Sequence, residues 1–222
     1  MDIQKKHLDN TIQDAVRDEL DWTPEVNAAH IGVSAVNGAV TLSGEVDSYS
    51  ERIAAKDAAL RVEGVTAVAD DITVNHKGKG KSDTDVAEAV ANALAWTAVL
   101  TPGTVQAEVS NHVVVLSGTV DWNYQRQAAR RAVEHIAGVS FVDSRIRLAR
   151  RPSAADTAER IKNALVRNVE IDSAAITVTL DGTEVHLGGS VRSWAEKKQA
   201  EQAAWASPNV TEVNNAIKIR PL

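Results

Sequence analysis

The segment Val40-Thr41-Leu42-Ser43-Gly44-Glu45-Val46 returns as Val114-Val115-Leu116-Ser117-Gly118-Thr119-Val120, and again as Val185-His186-Leu187-Gly188-Gly189-Ser190-Val191. The leucines lie 74 and then 71 residues apart, and a self-similar period of this length decides architecture before any single residue does. The 222-residue chain is therefore three copies of one small unit. Each copy is only ~70 residues, near the size at which a lone core is marginal, so the copies are expected to dock on one another.

Aligned on the repeated leucine, the copies match without an internal gap from first helix to last strand. Ile12, Val16 and Leu20, then Val86, Val90 and Leu94, then Ile161 and Leu165 recur every fourth residue, the stripe of an amphipathic helix. Ser82 with Asp85 and Ser153 with Asp156 have the capping-box form, and Asn10 with Gln13 is a weaker version. Ile31, Val33 and Ala35 alternate, as do Val105, Ala107 and Val109, and Ile176, Val178 and Leu180, which predicts half-buried strands. Asn37-Gly38, Asn111-His112 and Asp181-Gly182 then predict tight hairpins. The return strand is the repeated segment, with Val40 and Leu42 inward and with Gly44, Gly118 and Gly189 marking a bulge or a close backbone approach.

An alanine-rich helix follows, carrying Ala55, Ala58 and Ala59, then Ala129, Ala132 and Val133, then Ala200, Ala203 and Ala204. It stops near Gly64, Gly138 and Pro208-Asn209. The last strand carries Val68, Ile72 and Val74, then Val142, Ile146 and Leu148, then Val213, Ile217 and Ile219. The expected fold class is α+β: three tandem α-β-β-α-β domains, each a three-stranded mixed sheet with two helices on one face. Expected domains are 1–76, 82–149 and 154–222, joined by a Lys/Gly linker at 77–81 and a second linker at 150–153.

The formal charge of −6 is unevenly spread, at −8 over 1–76, −2 over 82–149, +1 over 150–222 and +3 in the 77–81 linker. An acidic total of this kind disfavours general nucleic-acid binding. There is no cysteine, so disulfides and thiolate metal sites are excluded. His7, His30, His76, His112, His135 and His186 occupy unrelated repeat positions without metal-ligand spacing, and Lys77-Gly78-Lys79-Gly80-Lys81 lacks the Walker spacing. Asp70-Asp71 reads as solvated strand-edge charge. No catalytic constellation, metal site or cofactor is expected, and the chain is read as a non-enzyme. No leader-like apolar run follows Met1, which predicts a cytosolic protein if that Met is the natural start and a periplasmic one if a leader has been removed.

The copies diverge just after the repeated segment. Ser48-Tyr49-Ser50-Glu51 and Ser193-Trp194-Ala195-Glu196 keep a capping box, whereas the second copy reads Trp122-Asn123-Tyr124-Gln125. Replacing a capping Ser by Trp forgoes roughly 1 kcal/mol, so Trp122 is expected to serve another purpose. On one reading Asn123 takes over the cap and Trp122 packs against a neighbouring copy. On the other, Trp122 and Tyr124 stand above a basic helix face of Arg126, Arg130 and Arg131, with Trp194 and Lys197 at related positions, and contact a lipid headgroup layer or a partner. Trp22 and Trp96 close the first helix of their copies and are expected at the core edge.

The order α-β-β-α-β, the pattern V-x-L-x-G-x-V, the alanine-rich helix, Gly64-Val65 and Gly138-Val139, and the closing V-x-x-x-I resemble the BON (bacterial OsmY and nodulation) domain in all three copies. Asn209 stands where the family favours Gly, and Gly188 where it favours Ser. The resemblance implies a non-enzymatic module proposed to attach to phospholipid surfaces and found in osmotic-stress proteins, secretins and mechanosensitive channels. Weak attachment to anionic phospholipid or an envelope component is thus the first functional expectation. A soluble protein-interaction or chaperone-like scaffold is the alternative. Potassium or other small-ligand sensing is more distant, because the LysM segment of a potassium-binding relative has no counterpart here.

Overall fold

A computed structural model describes residues 2–75, 80–150, 156–167 and 175–220. In the first copy α1 (Asp2–Trp22) leads through a 3₁₀ turn (Ala28–His30) to β1 (Ile31–Val36), β2 (Ala39–Val46), α2 (Tyr49–Arg61) and β3 (Ala67–Val74). The second comprises α3 (Asp83–Trp96), β4 (Val105–Ser110), β5 (Val113–Val120), α4 (Asn123–Glu134), β6 (Phe141–Ser144) and β7 (Arg147–Leu148). The third comprises α5 (Thr157–Val166), β8 (Ile176–Asp181), β9 (Glu184–Val191), α6 (Trp194–Trp205), β10 (Glu212–Asn215) and β11 (Lys218–Ile219).

The repeated segment is the central strand of every sheet. β2 pairs antiparallel with β1 through the hairpin and parallel with β3, the crossover being carried by α2. β5 and β9 hold the same position, but the strand beside each is split in two, β6 with β7 and β10 with β11. Val40 and Leu42 are buried, and they join Val16 and Leu20 from α1 and Ala55, Ala58 and Ala59 from α2 in one cluster, so both helices cover the same face of the sheet. The alanines lack any side chain beyond Cβ, which lets α2 lie close on that sheet.

Four expectations are corrected. Asn10 does not start a helix: α1 already runs from Asp2, and the Gln13 amide donates instead to the Val33 carbonyl at 2.7 Å. The third hairpin turns on Gly182-Thr183, one residue later than expected, because Asp181 still pairs with Glu184. In β4 the alternation is incomplete: Val105 and Val109 are only half-buried and Ala107 is exposed, whereas Ile31, Val33, Ile176 and Val178 are buried. Asp70 is not a free edge charge, since its carboxylate accepts from Arg52 Nε at 3.0 Å. The linker residues 77–79 and 151–153, and Ser153 of the expected third capping box, lie outside the described residues.

The glycine of the repeated segment has a steric cause. Gly44, Gly118 and Gly189 have φ of 127°, 128° and 101°, and a Cβ on each would collide with the carbonyl oxygen of His30, Thr104 or Ala175, the residue that leads into the first strand. Gly118→Ala therefore combines a forbidden backbone with a backbone clash and is expected to cost about 3 kcal/mol. Gly103→Ala, at φ 79° with open space around it, is expected to cost clearly less. Urea unfolding of the two variants measures the difference.

The first helix also holds the hairpin. Asp9 accepts from the amides of Asn37 (3.0 Å) and Gly38 (3.1 Å), and Asp83 accepts from Asn111 (2.8 Å) and His112 (3.0 Å). Asn37, Asn111 and His112 need these fixed partners because they hold positive φ. The His112 and Asn111 amides lower the Asp83 pKa. A carboxylate with a depressed folded pKa stabilises the fold above its unfolded value and loses that contribution as pH falls through the folded one. Asp83→Asn is expected to lower Tm at neutral pH, with the gap to the parent closing as pH falls below the ordinary carboxylate range. Calorimetry across that range tests this.

Candidate functional site

The basic position in the first turn of each second helix meets a different partner in each copy. Arg52 reaches across to Asp70 in the edge strand β3, 3.0 Å away and largely shielded. Lys197 donates to the Ile217 carbonyl at 2.8 Å and lies 5.1 Å from the Trp194 ring centroid. In the second copy Ser144 replaces the acid, and Arg126 turns elsewhere. Its Nη2 donates to Asn123 Oδ1 at 2.7 Å, and its guanidinium sits 4.6 Å from the centroid of Trp205, which belongs to the third copy. Burial lowers the Arg126 pKa, and nearby Glu201 and Glu212 act in the opposite direction.

The helix-cap expectation changes with this. Trp122 itself is the N-cap residue of α4, and Asn123 is buried inside the helix as the acceptor for Arg126. The Gln125 amide, which a capping hydroxyl would accept from, donates instead to the Trp122 carbonyl at 3.1 Å. The Gln125 side chain ties down the helix start, its Oε1 accepting from the amides of Asp121 and Trp122, both at 3.0 Å, while its Nε2 donates to the Val99 carbonyl at 2.9 Å. Ser48 and Ser193 cap their helices as expected, accepting from Glu51 and Glu196.

The predicted contact residues consequently do not form one outward patch. Trp122 is half-buried, Tyr124 is 55% exposed, Arg131 is exposed, and Arg130 pairs with Glu134 at 2.6 Å. Arg130 lines a cleft together with Trp194, Lys197 and Arg52, so the structure unites residues of all three copies there and leaves Trp122 and Tyr124 outside it. Arg126 lines a separate groove opposite Thr183 and Glu212.

A second surface was not anticipated. Trp22 and Trp96, expected at the core edge, are 83% and 86% exposed. Their surroundings differ. Trp22 shares its surface with Glu19, Asp21 and Glu25, whereas no charged residue occurs anywhere from 89 to 107, the stretch that carries Trp96 and exposed Val99. Between α3 and β4 lies an open groove of about 520 Å³, walled by Ala87, Ala91, Leu94, Val105 and Ala107. It is open because small residues stand where the other copies place larger ones: Ala107 aligns with Val33 and Val178, and Ala91 and Ala95 with Arg17 and Asp21. The signal lay in the sequence as a 19-residue uncharged run, too polar and too broken at Pro102-Gly103 to read as a membrane span and easily absorbed into a core helix.

Among the described residues no group of three His, Asp or Glu is placed to hold a metal ion, and no helix is long and apolar enough to cross a membrane. The copies are joined by aromatic residues. Tyr49 packs with the second copy's core and meets Phe141 edge-on at 5.9 Å, and Trp205 touches the cores of the second and third copies.

The family model described as "BON domain" matches residues 8–76, 82–150 and 153–221. Osmotically-inducible protein Y of Escherichia coli (strain K12) is 30% identical over 139 residues, which span 60% of this chain and 69% of that protein. The C-terminal domain of CdsD, the structural protein of the type III secretion system of Chlamydia trachomatis, aligns over 94% of this chain and 96% of its own at 14% identity, with a TM-score of 0.27, too low to bear on the fold.

The Arg126–Trp205 contact is expected to hold the second and third copies together rather than to stabilise either one. A double-mutant cycle of Arg126→Gln and Trp205→Leu is expected to give a coupling of about 1–2 kcal/mol in chemical unfolding.

Proposed function

The chain belongs to the BON domain family, with three copies over nearly its whole described length, and on that premise we propose that it is a non-catalytic, stress-related binding protein that attaches weakly to membrane surfaces through the Trp96 end of α3. The name of its E. coli relative, osmotically inducible, supports the link to osmotic stress. The observation that carries the site is the 86% exposure of Trp96 at the tip of an uncharged stretch. An indole with one polar edge suits the boundary between headgroups and acyl chains.

The physical driving force then differs from the one the basic face of α4 suggested. Arg126 is occupied under Trp205, and Arg130 is paired with Glu134, so of the three arginines Arg131 alone stands exposed without either kind of contact among the described residues. Insertion of Trp96 and Val99 would instead bury apolar surface, at roughly 1.5–3 kcal/mol for each large side chain. Two such side chains bring affinity only to around the millimolar range, where binding corresponds to ~4 kcal/mol. Attachment of this kind depends little on salt, because no ion pair is made at the tip. Anionic lipid would act on it chiefly through the acidic first copy, and unfavourably.

A second reading has one specific observation behind it. β4 is an edge strand beside the open groove, and an extended polypeptide could pair along it with its side chains against Ala91 and Val105. Protection of an aggregating client without lipid, with no vesicle binding, would favour that scaffold reading.

Co-sedimentation with phosphatidylcholine vesicles, with and without phosphatidylglycerol, tests the membrane reading. Trp96→Ala is expected to weaken binding about tenfold and Trp22→Ala to leave it unchanged. Raising salt from about 0.1 to 1 M, which cuts the Debye length from ~10 to ~3 Å, is expected to change binding little. Absence of binding to both vesicle types, or loss on Arg130→Ala with Arg131→Ala and not on Trp96→Ala, would overturn it.

A further inference from the structure

A cleft of about 810 Å³ lies where the three copies meet. α2 and β3 of the first copy, α4 and β6 of the second, and α6 of the third all contribute to its wall. Its apolar part is made by Ile53, Leu60, Phe141 and Val142, and its rim carries Arg52, Lys56, Arg61, Arg130, Lys197 and Lys198 against Asp57, Asp70 and Glu201. This is an inversion of sign in a chain whose formal charge is −6.

Several of those charges are already used. Arg52 is held by Asp70, Arg61 by Glu19, Arg130 by Glu134, and Lys197 by a backbone carbonyl. Lys56 and Lys198 have no ion-pair or hydrogen-bond partner among the described residues, and they come from different copies. Trp194, on the same wall, has a buried indole Nε1–H with no acceptor. A buried donor without a partner is costly, and an acceptor entering the cleft would relieve it. The combination of an apolar floor, two unpaired cations and a waiting donor matches one ligand chemistry.

We infer that this cleft binds one amphiphilic organic anion, an apolar body bearing a phosphate, sulfonate or carboxylate, with Lys56 and Lys198 at the anionic group, Trp194 Nε1 donating to it, and Phe141, Val142 and Ile53 around the body. The ligand would touch all three copies, so its binding would also hold them in register. The inference is independent of the membrane tip, which is built from α3 and β4 and shares no residue with the cleft.

The test is a fluorescence titration of the full chain with 1-anilinonaphthalene-8-sulfonate and with N-phenyl-1-naphthylamine, its uncharged counterpart. One saturable site is expected for the sulfonate, with at least about tenfold weaker binding of the neutral probe. Lys56→Glu with Lys198→Glu is expected to weaken the sulfonate about tenfold and the neutral probe less than about twofold, and Trp194→Phe to weaken the sulfonate about threefold. Both lysines are exposed, so the double variant is expected to keep the parent's Tm. Dodecyl phosphate, as a free amphiphile, and lysophosphatidylglycerol, as a lipid-derived one, are added as competitors. Displacement by either supports the site, the stronger of the two indicates the source, and inorganic phosphate at equal concentration is expected to displace nothing. Equal affinity for both probes, no displacement by either amphiphile, indifference to the lysine substitutions, or loss of sulfonate binding on Trp96→Ala would overturn it.

Discussion

Tyr49 belongs to the first copy by sequence and to the second by burial. It opens α2, is only 5% exposed, and spends its ring on Phe141 and the cluster around Val114 and Leu116. A unit of ~70 residues has too much surface for its volume, and its own core gives it little margin. Sharing aromatics is the response to that shortage. Trp205 does the same between the second and third copies, and α2 of the first copy touches α6 of the third. Everything else of functional interest follows from this sharing, because the cleft exists only where three surfaces converge.

The parts of the fold that were legible in the sequence are those that depend on one copy alone. Leu42, Leu116 and Leu187 are buried in all three copies, and Gly44, Gly118 and Gly189 each face the carbonyl that leads into the first strand of the same hairpin. Gly64 and Gly138 likewise end the second helices with positive φ, close against Ile12 and Val86 of their own copies. Local constraint repeated three times leaves an unambiguous pattern. The misplacements have the opposite cause. Arg126, Arg130 and Arg131 have the spacing of an exposed basic stripe, yet Arg126 is covered by Trp205, a residue far along the chain that no local period announces. Trp22 and Trp96 sit where a helix ends on its core, and among the described residues nothing covers them.

Helix capping shows how a local rule can be broken without loss of the helix. Trp122 offers no hydroxyl, but Gln125 satisfies the amides of Asp121 and Trp122 and, being an amide rather than a carboxylate, also donates to Val99. In the first copy Glu51 accepts from the amides of Asp47 and Asn27 in the matching region. Glu and Gln thus tie the same loop to the same helix start with opposite hydrogen-bond polarity. The loop so fixed in the second copy is the one that carries Val99 beside Trp96, so the cap that looked deficient positions the uncharged tip.

Much of the divergence between copies falls at positions the scaffold leaves free. The glycine that meets a carbonyl cannot accept a Cβ and stays in all three copies, and small residues recur along the second helices, with Val133 the one enlargement at the place of Ala59 and Ala204. The outer face of the first helix meets no such limit: Arg17 and Asp21 of the first copy become Ala91 and Ala95 in the second. The first turn of the second helix is free in the same sense, and its basic residue is neutralised by Asp70, covered by Trp205 or set against Trp194 in turn. A repeat whose interior is this constrained acquires new properties by changing what each copy shows to its neighbours and to solvent. On that logic the apolar tip is a property of the second copy alone, whereas the basic cleft is a property of the assembly and cannot survive separation of the copies.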